Sequence, residues 1–263
     1  MAFTGGITPP ASVRGVSESI LKNLSYEKAA LYGRDGFTYF NDFLSGSAGL
    51  TTYAGTGCTV TGNSQLGGAV RISMDGTAND EASFGPADAG SAPYAINTST
   101  NLGKVGFEIR LKKSLVSNNS LAFVAGLGAA GLVADAVLAD STGALADTNF
   151  IGFQCLNAAG ATVNFVWRKS GQSLVTGISG VATLTADTYV RLGFVYDPFG
   201  DPLKRIRVYV NGTESTTYGT NTQVTAATFP SATQLNPLVA CIVGSGAAAA
   251  TLDADFLFAH QSV

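Results

Sequence analysis

The sequence predicts an all-β antiparallel sandwich preceded by a short arm. Three observations carry that reading. From Phe37 onward, apolar and polar residues alternate with a period of two. Turn-forming clusters separate the alternating runs. Beyond the first forty residues, no segment holds apolar residues at helical spacing for more than two turns. At 263 residues, the chain is long enough to bury one large core.

Residues 1–36 form the arm, and residues 37–263 form the sandwich. In the arm, Thr8-Pro9-Pro10 is extended, because proline fixes φ and restricts the residue before it. Ser17 is placed to cap a short helix through Ile20, Leu21 and Leu24; Ala29 to Tyr32 continues it, and Gly33 stops it. In the sandwich, Val105, Phe107, Ile109 and Leu111 fall on one face of a strand, with Glu108, Arg110 and Lys112 on the other. The same alternation sets Ile151, Phe153 and Cys155 against Gly152 and Gln154, and Val163, Phe165 and Trp167 against Asn164 and Arg168. Val190, Leu192, Phe194 and Tyr196 oppose Arg191; Ile206, Val208 and Val210 oppose Arg205, Arg207 and Tyr209. Each run reads as a half-buried strand with one face to a core and one to solvent or a partner. Asp197-Pro198-Phe199-Gly200-Asp201-Pro202 makes a turn between two of them, and Asn211-Gly212 marks a hairpin. Strands with turns between them and no intervening helices predict two packed sheets.

Composition limits the function. Fifteen basic and eighteen acidic residues leave a net charge of −3, which gives no electrostatic basis for nucleic-acid binding. Charged residues are 13% of the chain, against roughly 25% in an ordinary domain. With 46% hydrophobic residues and 32 glycines, the chain is not disordered. A weakly charged exterior suits a surface covered in an assembly. The start, Met1-Ala2-Phe3-Thr4-Gly5-Gly6, has neither the basic nor the apolar region of a signal peptide, so export by that route is not expected. Leu121 to Ala139 has the length of a membrane span, but Gly126, Gly128, Gly131 and Asp135 favour a strand followed by a loop. Cys58, Cys155 and Cys241 are far apart and odd in number; with His260 the sole histidine, they read as buried free thiols.

Several runs together resemble a known family. Phe40-Asn41-Asp42-Phe43-Leu44 opens the sandwich, and Gly106-Phe107-Glu108-Ile109-Arg110-Leu111 follows. Then come Asn149-Phe150-Ile151-Gly152-Phe153, Asn164-Phe165-Val166-Trp167-Arg168, Arg207-Val208-Tyr209-Val210-Asn211-Gly212 and Leu252-Asp253-Ala254-Asp255-Phe256-Leu257-Phe258. In this order, over residues 38–260, they resemble the concanavalin A-like lectin/glucanase jelly roll. More narrowly, they resemble its version in bacteriophage virion proteins, including capsid decoration proteins. The arm lies outside the resemblance.

No residue set in the sequence has the pattern of a catalytic site. The glucanase branch needs a carboxylate pair flanking the scissile bond. Glu108 is followed on its face by Arg110 and Lys112, which predicts a surface ion pair, and Asp80-Glu81 lacks a third partner. His260 has no nucleophile elbow to serve. For sugar binding, Trp167 reads as core by parity, and Tyr209, outward beside Arg205 and Arg207, is the better contact candidate. A neighbouring subunit or loop covering that sheet face is the preferred reading. Asp253 and Asp255 share a face of the last strand. The resemblance implies that a residue at the position of Asp255 can hold a structural calcium, but the sequence offers no further ligand, and no metal or cofactor is assigned.

The expected function is therefore that of a non-catalytic bacteriophage structural protein. Low charge argues for assembly; the virion setting is implied by the resemblance. The specific expectation is a capsid decoration or cement protein, assembled in the bacterial host cytoplasm. It binds the major capsid protein and copies of itself, as a symmetric homotrimer, without nucleic acid or membrane. Phe3, Ile7, Ile20, Leu21, Leu24, Leu31 and Tyr32 make the arm the expected clamp on a neighbour. The alternatives are a tail or fibre protein and a lectin-like module with a glycan as partner.

Overall fold

In a computed structural model of the chain, the residues described are 20, 36–63, 68–86, 93–96, 103–117, 121–140, 142–231, 233–244 and 248–262. The extended Thr8-Pro9-Pro10 segment, the Ser17 cap and the Gly33 stop lie outside them; of the arm's predicted helix, only Ile20 is described, and it is helical. Eight strands occupy the first half of the described chain: β1 (Gly36–Asn41), β2 (Leu50–Ala54), β3 (Cys58–Asn63), β4 (Ala69–Met74), β5 (Glu81–Pro86), β6 (Tyr94–Ile96), β7 (Val105–Lys113) and β8 (Leu121–Ala129). Eight more follow: β9 (Phe150–Cys155), β10 (Thr162–Arg168), β11 (Val175–Thr183), β12 (Val190–Tyr196), β13 (Ile206–Val210), β14 (Thr213–Glu214), β15 (Thr233–Val243) and β16 (Ala250–Ser262). One four-residue helix, α1 (Asn221–Val224), precedes β15.

The strands form two antiparallel sheets. The first has the order β14-β13-β12-β7-β16-β4-β3, the second β11-β10-β9-β8-β15-β5-β2. The long β16 takes β7 along one edge and shares the other between β4, opposite residues 250–254, and β1, opposite residues 257–262. The long β15 is divided in the same way between β5 and β6. All the inward residues predicted from parity are in the core, with Val210 packed at its margin. Phe194 of the first sheet meets Phe165 and Phe153 of the second, at ring-centroid distances of 5.2 and 6.3 Å. Each such side chain contributes roughly 1.5–3 kcal/mol by leaving water. Asn211 and Gly212 both take positive φ, 50° and 80°, and close the two-residue hairpin between β13 and β14.

Two expectations need correction. The central strands are not half-buried: β8, β9 and β12 are buried along nearly their whole length. Each sheet has a second apolar layer on its outer side. On the second sheet, Ala122, Val124, Phe150, Val166, Leu238, Ala240 and Ile242 are covered by Val137, Leu138 and Leu145. Leu138 and Leu145 form an antiparallel bridge in the β8–β9 connection. Gly143 comes so close to the sheet that a Cβ there would stand 2.1 Å from the Ala122 Cβ. On the first sheet, Val195, Tyr209, Phe256 and Phe258 are covered by Ile20. A Cβ at Gly193 would lie 2.2 Å from Ile20 Cδ1, so the glycine makes room for that side chain. The arm therefore commits Ile20 to its own sheet and not to a neighbour. The other six apolar anchors of the arm lie outside the described residues.

Candidate functional site

Most of the chemistry-bearing residues singled out in the sequence converge on the outer face of the first sheet. Strand register places them. Lys112 of β7, Asp253 of β16 and Arg71 of β4 lie directly opposite one another on three adjacent strands. Arg71 grips Asp253 with two hydrogen bonds, 2.6 and 2.8 Å long, the fork geometry that suits guanidinium and carboxylate. Lys112 Nζ adds a contact at 3.4 Å. The hydrogen bond to Asp253 raises the pKa of Arg71.

A register shift between Ala254 and Phe256 makes Asp255 the extra residue of a bulge. A bulge re-aims side chains. Here it sends Asp255 to Arg110, 2.6 Å away, and leaves Phe256 on the same outer side. Arg110 in turn lies over the ring of Tyr189, 4.2 Å from its centroid. Asp255 is thus engaged by Arg110 as an ion pair. No three acidic, histidine or cysteine side chains come together as a metal cluster among the described residues.

Glu108 is not the surface residue that was expected. It is fully buried, and its ion-pair partner is Arg191 on the adjacent strand, at 3.9 Å, rather than Arg110 or Lys112. Arg191 is the diagonal neighbour of Glu108, directly opposite Arg110 on β7, a separation that long side chains can span. Burial lowers the pKa of Arg191, opposed by Glu108. Tyr209 also points outward, as parity required, but it lies beneath Ile20 and is buried. Its hydroxyl sits 3.1 Å from the Glu214 carboxylate, and burial raises its pKa. Tyr209 is therefore no sugar platform. Arg205 leaves its company, with Nε donating to Asn221 and the guanidinium to the carbonyl of Pro198. His260 Nδ1 lies 2.8 Å from Thr38 Oγ1, and burial lowers the ring's pKa. Trp167 is in the core, edge-on to Phe165 and Phe229.

Glu81 lies away from this group, at the start of β5 on the outer side of the second sheet. Its carboxylate accepts hydrogen bonds from the N–H groups of Val137 and Leu138, at 3.0 and 3.4 Å. It ties down the segment that covers that sheet, and burial pushes its pKa up to about 7.

Two surface features were missed by the sequence reading. One is a cleft of about 250 Å³ lined by Phe37, Thr38, Tyr39, Pro86, Pro93, Tyr94 and Asn236, where β1 and β6 meet the edge of the sandwich. The other is an apolar end of the first sheet. Register aligns the start of β1, the end of β16, the start of β7, the end of β12 and the start of β13. At that end, Phe37, Phe199 and Leu203 are 55%, 66% and 69% exposed. Phe199 carried a usable signal: a large aromatic inside an Asp/Pro/Gly turn has no core to enter.

No protein-family model and no curated protein matches the sequence. Solved structures do. A protein of unknown function from Shewanella oneidensis MR-1 aligns with a TM-score of 0.54 at 15% identity, over 96% of this chain and 97% of that one. Peanut lectin aligns with a TM-score of 0.53 at 12% identity, over 87% and 98%. The endo-beta-1,4-glucuronan lyase of the fungus Trichoderma reesei aligns with a TM-score of 0.50 at 10% identity, over 84% and 94%. The two antiparallel sheets, their register and these likenesses make the fold a lectin-like, concanavalin A-type jelly-roll sandwich.

Proposed function

We propose that this chain is a non-catalytic structural protein of a bacteriophage particle, a capsid decoration protein that holds the capsid surface as a symmetric oligomer. One observation carries the assembly part: the apolar end formed by Phe37, Phe199 and Leu203. Exposed apolar side chains gathered at one end of an otherwise weakly charged molecule suit a docking surface. The outer-face carboxylates support a non-catalytic role. Asp253, Asp255 and Glu108 each face a cation, so none is poised as a general acid. The virion setting rests on the ordered strand motifs that resemble phage jelly-roll proteins.

The test replaces Phe37, Phe199 and Leu203 together by serine. Circular dichroism and the melting midpoint should stay close to wild type, because these side chains lie outside the core. Light scattering should report a smaller particle, and co-sedimentation with capsids should be lost. An unchanged oligomer that still sediments with capsids overturns the docking end. Absence of the chain from purified virions by mass spectrometry overturns the decoration role.

A second reading, a carbohydrate-binding module, is favoured by the cleft beside β1 and β6, where aromatic rings and the Asn236 amide share a wall. Glycan-array binding that disappears in Asn236→Ala would select this reading.

A further inference from the structure

Lys113 and Cys155 form a buried pair that spans the sandwich. Lys113 ends β7 in the first sheet, and Cys155 ends β9 in the second. Lys113 Nζ lies 3.7 Å from Cys155 Sγ and donates to the Gly160 carbonyl at 2.7 Å. The thiol shares that carbonyl at 3.3 Å. Lys104 and Lys112 each hold an aspartate, whereas Lys113, only 1% exposed, holds no carboxylate among the described residues. A buried ammonium without an anion is costly. Burial accordingly lowers the lysine pKa and raises that of the thiol. The lysine nitrogen is in van der Waals contact with the sulfur. Cys58 and Cys241 are buried as well, but the neighbour of Cys241 Sγ is the Met74 sulfur, 3.8 Å away, and not an amine.

We propose that Lys113 and Cys155 are an oxidative cross-linking site, joined through one oxygen atom as an N–O–S bridge between Nζ and Sγ. The oxidant is a peroxide. One amine, one thiol and two hydrogen peroxide molecules give R–NH–O–S–R′ and three waters. One N–H bond, the S–H bond and both O–O bonds break. The N–O and O–S bonds form, nitrogen and sulfur are oxidised, and peroxide oxygen is reduced to water. Two equivalents of a dithiol reverse the change, returning amine, thiol and water. Forming the bridge draws Nζ in from its present 3.7 Å separation from Sγ. The link ties one sheet to the other across 42 residues of sequence, a loop long enough for the constraint to stabilise the fold.

The experiment exposes the full-length native chain to hydrogen peroxide, denatures it, alkylates with iodoacetamide and digests with trypsin. The expected result is one peptide spanning residues 113–168, closed into a loop between Lys113 and Cys155, heavier than the linear peptide by one oxygen and lighter by two hydrogens. Trypsin should fail at Lys113, Cys155 should resist alkylation, and dithiothreitol should restore both. The melting midpoint should rise by about 5 °C in the linked form and return after reduction. Lys113→Arg should abolish the closed peptide; should that variant not fold, the wild-type peptide decides alone. Cys155 that is alkylated, or oxidised to sulfinic acid while trypsin still cleaves at Lys113, overturns the proposal. A closed peptide lighter by two hydrogens but lacking the oxygen is a sulfenamide and overturns the N–O–S bridge.

Discussion

On the outer face of the first sheet, Glu108, Arg191, Arg110, Asp255, Asp253 and Arg71 are interleaved with Phe256, Phe258 and Tyr209, and Ile20 covers part of them. On the outer face of the second sheet, the buried apolar side chains are aliphatic apart from Phe150, and Glu81, Ser83 and Gln154 are the buried polar ones. The cover there is a contiguous chain segment held by Glu81. The ionic face is specific in register, because strand pairing sets which cations meet each carboxylate, with Arg71 and Lys112 both on Asp253. The aliphatic face depends on volume, with little demand on partner identity. One sandwich thus solves the same problem twice, with directional bonds on one side and area on the other.

This contrast can be broken at either face. The largest effect is expected at the aliphatic side: Phe150→Ala should cost about 3–5 kcal/mol through the cavity it leaves, read by urea unfolding. Asp253→Ala should cost about 2–3 kcal/mol, below the fully buried limit because Arg71 is 34% exposed. In a double-mutant cycle, Arg71→Ala should then add little to Asp253→Ala; full additivity would show that the pair does not act as one unit. Ile20→Ala should cost about 2 kcal/mol; a change near zero would mean that the arm does not hold the first sheet's cover in solution.

A smaller effect separates the faces by pH. The Glu81 carboxyl has a pKa of about 7 when folded, against 4.5 for the ordinary group. Between those values, the folded state keeps a proton that the unfolded chain has released. Stability contributed by Glu81 therefore falls as pH rises from about 4.5 to 7. Glu81→Gln should flatten this slope in melting curves taken between pH 5 and 8, whereas Asp253→Ala should leave it in place. Tyr209→Phe should give the smallest change, about 0.5–1 kcal/mol, from a single hydrogen bond.

The inner half of the molecule was readable in advance. Period-two alternation assigned Val105, Phe107, Ile109 and Leu111 to the core, and the Asn211-Gly212 hairpin formed as its turn chemistry required. The outer half was not readable, for two physical reasons. Alternation reports which face a residue takes, but not what lies above that face. Glu108 was correctly set outward and incorrectly left at the surface; Tyr209 was correctly set outward, and Ile20 of the same chain supplies the cover expected over its face. The bulge at Asp255 also shifts parity within a single strand, so counting by twos along β16 fails beyond it. The cleft joins Pro86, Tyr94 and Asn236 from separate strands and has no local sequence pattern.

The order in which strands enter the sheets affects how the protein is made. β15 and β16, the last two strands in sequence, lie within the interior of the second and first sheets. Until residues 233–262 have left the ribosome, β4 and β7 have no strand between them, and neither do β5 and β8. Most of the pairing is thus long-range in sequence, the arrangement that folds slowly and exposes unpaired edges on the way. Synthesis therefore runs well ahead of folding, and the nascent strands wait with open edges until the final hairpin-like pair inserts into both layers. Chaperone occupancy should be heaviest in that interval, and a ribosome stalled before residue 233 should carry a protease-sensitive chain.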